Sequence, residues 1–258
     1  MTAGADQWPL RYVALGDSLS EGVGDEPWPD GTARGWTDRL AGLLSVDHEA
    51  RGVEYANLAV RGYKAAQVRD TQLDAALAMD PDVVTLTAGM NDILRLRVDF
   101  DELQSTLISL VQPFTVRGTR VVVVPIPDVS RISPFGSLIN ERRNQLNTIY
   151  QDLVRHHGVL PLTDTRDTVF EDARAWDQDR LHLSALGHEC LSYAAAVSLG
   201  IPITSDFLAV PAGVPPARTV RSEAEWWWGH AAPWIGRRLR GKSSGDGRVA
   251  KRPVLAPM

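Results

Sequence analysis

Short apolar runs alternate along the chain with longer segments in which apolar residues recur every three or four positions. The first pattern is typical of buried strands, and the second of helices that pack one face on a core. The apolar runs predict strands at residues 12–15, 53–57, 83–87, 120–124 and 159–161. The periodic segments predict helices at residues 36–44, 65–78, 100–116, 138–156 and 185–199. This alternation favours an α/β fold with a doubly wound parallel sheet of about five strands.

Two of the predicted strands, 83–87 and 120–124, are almost continuously apolar and rich in valine. Strands of this kind are usually covered on both faces, as they are in a parallel sheet between two layers of helices. The pattern therefore indicates that helices lie on both sides of the sheet.

The composition changes near residue 201, which predicts a main domain at 1–200 and an extension at 201–258. Residues 202–216 are rich in proline, glycine and alanine and are expected to form a linker or a strap. A capped helix is predicted at 223–239, followed by a basic, flexible tail at 243–258 whose removal should change little. Four tryptophans fall on this helix: Trp226, Trp227, Trp228 and Trp234. We expect them to dock the helix on the main domain, with a dimer or a membrane-surface contact as alternatives.

The net charge of −5 is unevenly distributed over the 258 residues. Residues 237–258 contain seven Lys or Arg and one Asp, which gives them +6 and leaves −11 on the rest. Such a tail can bind acidic lipid or nucleic acid, or it can lie on the acidic body. We expect the last of these and no nucleic-acid partner, while peripheral membrane contact stays open. No apolar run approaches the ~20 residues that a transmembrane helix needs.

The N-terminus and the cysteine content point to the compartment. Residues 1–7 lack the basic region and the apolar core of a signal peptide. The single cysteine, Cys190, excludes an internal disulfide and fits a reducing environment. We therefore expect a cytoplasmic protein in which Cys190 is a buried, unreactive thiol.

The first predicted strand ends at Gly16-Asp17-Ser18-Leu19, which puts a serine at the carboxyl edge of the sheet, where ligands bind in open α/β folds. A serine hydroxyl becomes a nucleophile when a base takes its proton, and His182 is available as that base. Asp179 lies three positions earlier, where a turn can bring its carboxylate against the imidazole. These residues are the candidate nucleophile, base and orienting acid. Alone, the Gly-Asp-Ser segment would equally suit a simple turn.

Two further segments follow predicted strands: Asn57-Leu58-Ala59-Val60-Arg61-Gly62 and Gly89-Met90-Asn91-Asp92. With the Gly-Asp-Ser-Leu and Asp-x-x-His segments, and in this order, they resemble the GDSL or SGNH hydrolase family over roughly residues 11–200. The resemblance implies a three-layer α/β/α fold of flavodoxin-like type and a catalytic domain at 1–200. It also implies an oxyanion hole made by the backbone N–H groups of Ser18 and Gly62 and the side-chain amide of Asn91. A turn glycine and a loop-capping asparagine are the alternatives for the last two.

Other polar residues in these segments are expected to be structural. Asp17 and Asp92 should hold their loops through side-chain-to-backbone hydrogen bonds. His188 should pack within a helix, because His188-Glu189 lacks the second histidine of a zinc-binding helix. We therefore expect no metal and no cofactor.

The activity that these features imply is hydrolysis of small or short-acyl esters by a serine carboxylesterase, through an acyl-Ser18 intermediate. Carbohydrate O-deacetylase, acyltransferase and lysophospholipase activities would use the same residues and stay open, as does the oligomeric state. The non-enzymatic alternative is a membrane-surface or partner-binding protein that works through the basic, tryptophan-rich extension.

Overall fold

A computed structural model describes residues 8–130, 132–215, 219–233, 236 and 243–258. Its five strands are β1 Leu10–Gly16, β2 Val53–Asn57, β3 Val83–Thr87, β4 Arg120–Val123 and β5 Arg252–Pro257. They form one sheet in the order β4-β3-β1-β2-β5. The first four strands are parallel, and β5 runs antiparallel to β2.

Helices cover both faces of this sheet, as the valine-rich runs predicted. Their bounds are α1 Ser18–Glu21, α2 Trp36–Asp47, α3 Ala65–Ala78, α4 Met90–Ile93, α5 Phe100–Thr115, α6 Pro134–His156, α7 Ala185–Ser198 and α8 Val220–Trp226. Side chains of β1 alternate between two cores because successive residues of a strand face opposite ways. Val13 and Leu15 pack with α3, α5 and α6, whereas Tyr12 and Ala14 pack with α2 and α7. The three-layer α/β/α architecture is confirmed.

The order of β1, β2, β3 and β4 determines where a site can form. The chain moves outward from β1 to β2 on one side and from β3 to β4 on the other, which opens a crevice beyond the ends of β1 and β3. Gly16 and Thr87 are register partners at the last pair of these two strands. The segments that follow β1 and β3 therefore emerge side by side.

Two predictions about the sheet are wrong in detail. Residues 159–161 form no regular strand, and only an isolated parallel bridge joins Leu160 to Val122. The fifth strand instead comes from the predicted flexible tail, since β5 pairs with β2 at three registered positions.

The predicted helix at 223–239 begins slightly earlier, at Val220, and passes into a π-helical turn at Trp227–Ala231. Trp226 is buried, so the expected docking is confirmed for this tryptophan. Trp227 and Trp228 are exposed, which corrects the expectation that all the tryptophans are covered. Residues 234–235 and 237–242, with the contacts expected of Trp234, lie outside the described part of the chain. The division at residue 200 stays a prediction, although β5 joins the sheet of the main domain.

Two other expectations concern the Cys190 thiol and transmembrane helices. Cys190 is buried, and burial raises the pKa of its thiol to about 11, as expected of an unreactive cysteine. Among the described residues, every helix is too short or too polar to cross a membrane. Residues 1–7, for which no signal peptide is predicted, lie outside the described part of the chain.

Candidate active site

Ser18 begins α1 directly after β1, at the sheet edge that the sequence indicated. Gly16 has a φ of +133°, and a Cβ added there would lie 2.2 Å from the backbone oxygen of Thr87. Only glycine therefore allows β1 to end so close to β3. Asp17 caps α1 by accepting a hydrogen bond from the backbone N–H of Leu19 at 3.3 Å. The nucleophile candidate is thus fixed by backbone geometry on both sides.

Asp179 and His182 face each other across a turn, as their spacing predicted. Asp179 Oδ2 lies 2.6 Å from His182 Nδ1, and Asp179 Oδ1 accepts the backbone N–H groups of Leu181 and His182, both at 2.9 Å. Burial alone would raise the pKa of Asp179, but the hydrogen bond and charge of His182 outweigh it and bring the pKa to about 2. Asp179 therefore stays ionised at neutral pH. Because it occupies Nδ1, Nε2 is the nitrogen that can accept the Ser18 proton.

Asn91 lies at the start of α4, where Gly89 has a φ of +103°. Its amide nitrogen donates to Asp17 Oδ2 at 3.2 Å and to the backbone oxygen of Tyr63 at 3.1 Å. The structure thus brings the third and second segments together beside the first. The amide is already bonded within the protein, so a substrate oxygen would have to share one of these hydrogens.

Asp17 sits behind the nucleophile and is almost completely buried. Burial raises its pKa to about 6, against the opposing effect of hydrogen bonds from Leu19 and from the Thr87 hydroxyl. These bonds confirm that Asp17 holds its loop. Asp92 does the same in the third segment, where its carboxylate accepts the backbone N–H of Ala65 at 3.0 Å.

Gly62 has a φ of +80°, which favours glycine. The loop around it is anchored by Glu21, which accepts the backbone N–H of Arg61 at 2.6 Å and the Arg61 Nε–H at 2.8 Å. On its other side, the Ser243 hydroxyl donates to the Gly62 backbone oxygen at 3.3 Å. Neither anchor was predicted, because their positions along the sequence are far from Gly62.

His188 is fully buried and belongs to the scaffold of the site, as expected. Its Nδ1 accepts the backbone N–H of Trp36, and its Nε2 lies 3.1 Å from the backbone oxygen of Val23. Burial lowers its pKa to about 4, so the ring is neutral and bridges α7 to the loop after α1. In the described residues, no cluster of three or more potential metal ligands is present.

A cavity of about 360 Å³ contains all the predicted site residues. Ser18, Gly62, Asn91, Asp179 and His182 line it. Its remaining wall is mostly apolar and includes Leu19, Val23, Met90, Leu94, Ile126, Pro127, Val129, Ile139, Trp176 and Leu181. The cavity falls in the size range of small-molecule sites. Among the described residues no hydrogen bond joins the Ser18 hydroxyl to His182, and such contacts often tighten only when a substrate binds.

The C-terminal extension also lines this cavity. Trp226 and His230 contribute from α8 and the following turn, and Ser243 and Ser244 from the segment before β5. The sequence predicted a docked helix, but nothing in its local pattern identified the surface on which it docks.

The sequence is similar to a known protein family and to curated relatives. The GDSL-like Lipase/Acylhydrolase family matches residues 14–190. An acetylxylan esterase of Geobacillus stearothermophilus is 23% identical over 216 residues, which cover 74% of this chain and 94% of that protein. The uncharacterized protein YpmR of Bacillus subtilis (strain 168) is 25% identical over 220 residues, 75% of this chain and 84% of that protein.

Solved structures show the same fold. Axe2, an acetylxylan esterase from Geobacillus stearothermophilus, superposes with a TM-score of 0.58 at 20% identity, covering 81% of this chain and 100% of Axe2. LAE5, an alpha/beta hydrolase from the metagenome of Lake Arreo, Spain, gives a TM-score of 0.61 at 19% identity, with 77% and 99% covered. With more than half of its length matched, the chain belongs to the GDSL-like lipase/acylhydrolase family and is a hydrolase of ester bonds.

Proposed function

We propose that this chain hydrolyses small or short-acyl esters through an acyl intermediate on Ser18, with His182 as general base and Asp179 as its orienting partner. The observation that carries the proposal is the 2.6 Å contact between Asp179 and His182 Nδ1 in the cavity that also contains Ser18. An ionised carboxylate there fixes the imidazole tautomer and stabilises the imidazolium that forms during the reaction.

The first half of the reaction forms the acyl-enzyme. His182 Nε2 takes the Ser18 proton as Oγ attacks the ester carbonyl carbon, whose oxygen becomes an oxyanion. The backbone N–H groups of Ser18 and Gly62 and the Asn91 amide are the proposed donors to that oxyanion. The tetrahedral intermediate then collapses, and the alcohol leaves with the proton that His182 had accepted.

The second half of the reaction regenerates the enzyme. His182 removes a proton from a water molecule, which attacks the acyl carbon. The Ser18–acyl bond breaks, the acid leaves, and the proton returns to Ser18 Oγ. An alcohol in place of water would give acyl transfer with the same residues, so product analysis with added alcohol distinguishes the two outcomes.

The carbohydrate alternative is supported by the description of a relative. A relative described as an acetylxylan esterase favours acetyl transfer from a sugar to water as the second candidate function.

Solved forms of Axe2 with a serine, an aspartate or a histidine replaced by alanine are described as catalytic mutants, and that aspartate lies three positions before the histidine. The same Asp-x-x-His spacing in this chain supports the roles given to Asp179 and His182.

The test compares the wild-type chain with Ser18→Ala on p-nitrophenyl acetate, butyrate and palmitate and on acetylated xylooligosaccharides. We expect the highest kcat/KM on a short-acyl ester, no turnover by the variant, and fluorophosphonate labelling of the wild type alone. Residual turnover above a tenth of wild type at an unchanged Tm would reject Ser18 as the nucleophile. A higher kcat/KM on palmitate than on acetate or butyrate would reject the short-acyl preference. Turnover of the acetylated xylooligosaccharides alone would favour the deacetylase.

A further inference from the structure

The turn that carries Asp179 and His182 is held from outside by α8. The indole N–H of Trp226 donates to the backbone oxygen of Asp179 at 3.1 Å. Glu223 accepts hydrogen bonds from both terminal nitrogens of Arg180, at 2.9 and 2.8 Å. Glu223 and Trp226, one helical turn apart, therefore bind two consecutive residues of the catalytic turn.

The contacts between α8 and the turn are partly shielded from water. Trp226 is buried, and the side chains of Arg180 and Glu223 are 15% and 34% exposed. The Arg180 guanidinium also lies 4.8 Å from the centre of the Trp226 ring, close enough for a cation–π interaction. A bidentate, partly buried ion pair has a defined geometry, unlike a solvated surface pair.

The catalytic turn has a conformation that needs such support. Arg180 has a φ of +55°, a left-handed conformation that residues other than glycine rarely adopt. The turn is closed locally by hydrogen bonds from Arg180 N–H to the Asp177 oxygen and from Asp177 N–H to the His182 oxygen, both at 2.9 Å. Neither bond fixes the Arg180 side chain, so the ion pair with Glu223 adds a constraint that the turn lacks.

We propose that Glu223 and Trp226 are positioning residues, through which α8 holds the Asp179–His182 pair against Ser18. The inference rests on the proposed function, because it gives α8 a role only through those catalytic groups. Without these contacts the turn would sample other conformations, and His182 would spend less time within reach of the Ser18 proton. Glu223 acts through Arg180, and Trp226 through the Asp179 backbone.

Glu223 and Trp226 report on this role differently. Trp226 lines the cavity, so replacing it changes both the support of the turn and the shape of the substrate site. Glu223 is not among the lining residues, so Glu223→Gln weakens the support of the turn and leaves the wall of the cavity unchanged. The chain supplies a matched control in Glu225, which pairs with Arg221 on the exposed side of the same helix.

The experiment measures kcat and KM on p-nitrophenyl acetate and the second-order rate at which a small fluorophosphonate labels Ser18. We expect Glu223→Gln to lower kcat and the labelling rate together by about 10-fold, with KM within twofold of wild type. Glu225→Gln should match wild type in all three. Trp226→Phe, which removes the indole N–H donor and also makes the ring smaller, should lower the labelling rate as well, whereas Trp228→Phe at an exposed position should not.

Rescue distinguishes positioning from a general loss of structure. The double variant Arg180→Glu with Glu223→Arg restores an ion pair of reversed polarity and should recover most of the labelling rate lost in either single variant. A labelling rate within twofold of wild type in Glu223→Gln, or one that falls only in proportion to unfolded protein, would overturn the inference. Failure of the proposed function is separate, since Ser18→Ala would then retain turnover.

Discussion

Replacing Lys251 with methionine should destabilise the folded chain far more than loss of a surface charge would. Lys251 Nζ lies 2.6 Å from Asp38 Oδ2 and 2.9 Å from the Ala33 backbone oxygen. The two charged side chains are 13% and 7% exposed, so the pair is largely removed from water. It joins the residue before β5 to α2 and thereby holds the last strand to the main domain.

The expected cost follows from the carboxylate that the change leaves behind. Removing one partner of a buried ion pair typically costs about 3–5 kcal/mol, because the other charge stays buried without compensation. Ala33 is only half-buried, so we expect its backbone oxygen to bind water in the variant and to add little to the cost. Methionine retains most of the length of the lysine stem, which limits the loss of packing.

The cost should also depend on pH. Burial raises the pKa of Asp38 above its usual value, and Lys251 opposes that shift. In the variant the pKa of Asp38 rises further. Between the unfolded and the folded pKa of Asp38, the folded state therefore holds a proton that the unfolded state has released. A raised pKa of this kind favours folding below the unfolded pKa, near 4, and the advantage is lost as pH rises through the folded value. The deficit relative to wild type is therefore expected to be small near pH 4 and largest at pH 8.

Urea unfolding followed by tryptophan fluorescence, at pH 5 and pH 8, measures the free energy of unfolding. Arg69→Met is the control, because the Arg69 and Asp70 side chains are 39% and 58% exposed and their pair should contribute under ~1 kcal/mol. Adding Asp38→Asn to Lys251→Met should recover more than half of the loss. A loss below ~1 kcal/mol at pH 8, or one equal at both pH values, would refute the reasoning.

Three further outcomes are expected. Asn91→Ala should lower kcat by about 10²–10³-fold with little change in KM, and a pure KM effect in steady-state kinetics would remove Asn91 from the oxyanion hole. Gly62→Ala should lower kcat, because its φ is +80° and the new Cβ would lie 2.5 Å from Ser243 Oγ; unchanged kinetics would show that this loop adapts. Deleting residues 252–258 should lower Tm and increase light scattering on heating, and equal Tm values would mean that β5 contributes nothing.

The parallel strands could be predicted because their sequences carry the information locally. Val83–Thr87 is buried at every position, and its continuous apolar run is what such burial requires. β5 carries no such information, since Arg252–Pro257 is partly exposed throughout and includes two prolines. It is a strand because β2 offers an unpaired edge, and no local pattern describes that partner.

The candidate site divides in the same way. Ser18, Asn91 and the Asp179–His182 pair each follow a strand or lie within one short segment, and the resemblance of these segments to the GDSL or SGNH family made them site candidates. The contact between Arg180 and Glu223 joins residues 43 positions apart. A glutamate on a predicted helix has many such candidate partners, and only the folded chain selects one.

The two edges of the sheet are closed by different means, and this bears on self-association. Beyond β4, the Leu160 N–H bonds to the Val121 oxygen at 2.8 Å and covers part of that edge. Beyond β2 lies β5, whose exposed Pro253 and Pro257 have no N–H to offer a further strand. Until β5 is in place, β2 presents an apolar parallel strand with one open side to any other chain nearby. Residues 252–257 thus cover the β2 edge, which disfavours strand pairing between molecules. They are synthesised after the other four strands of the sheet.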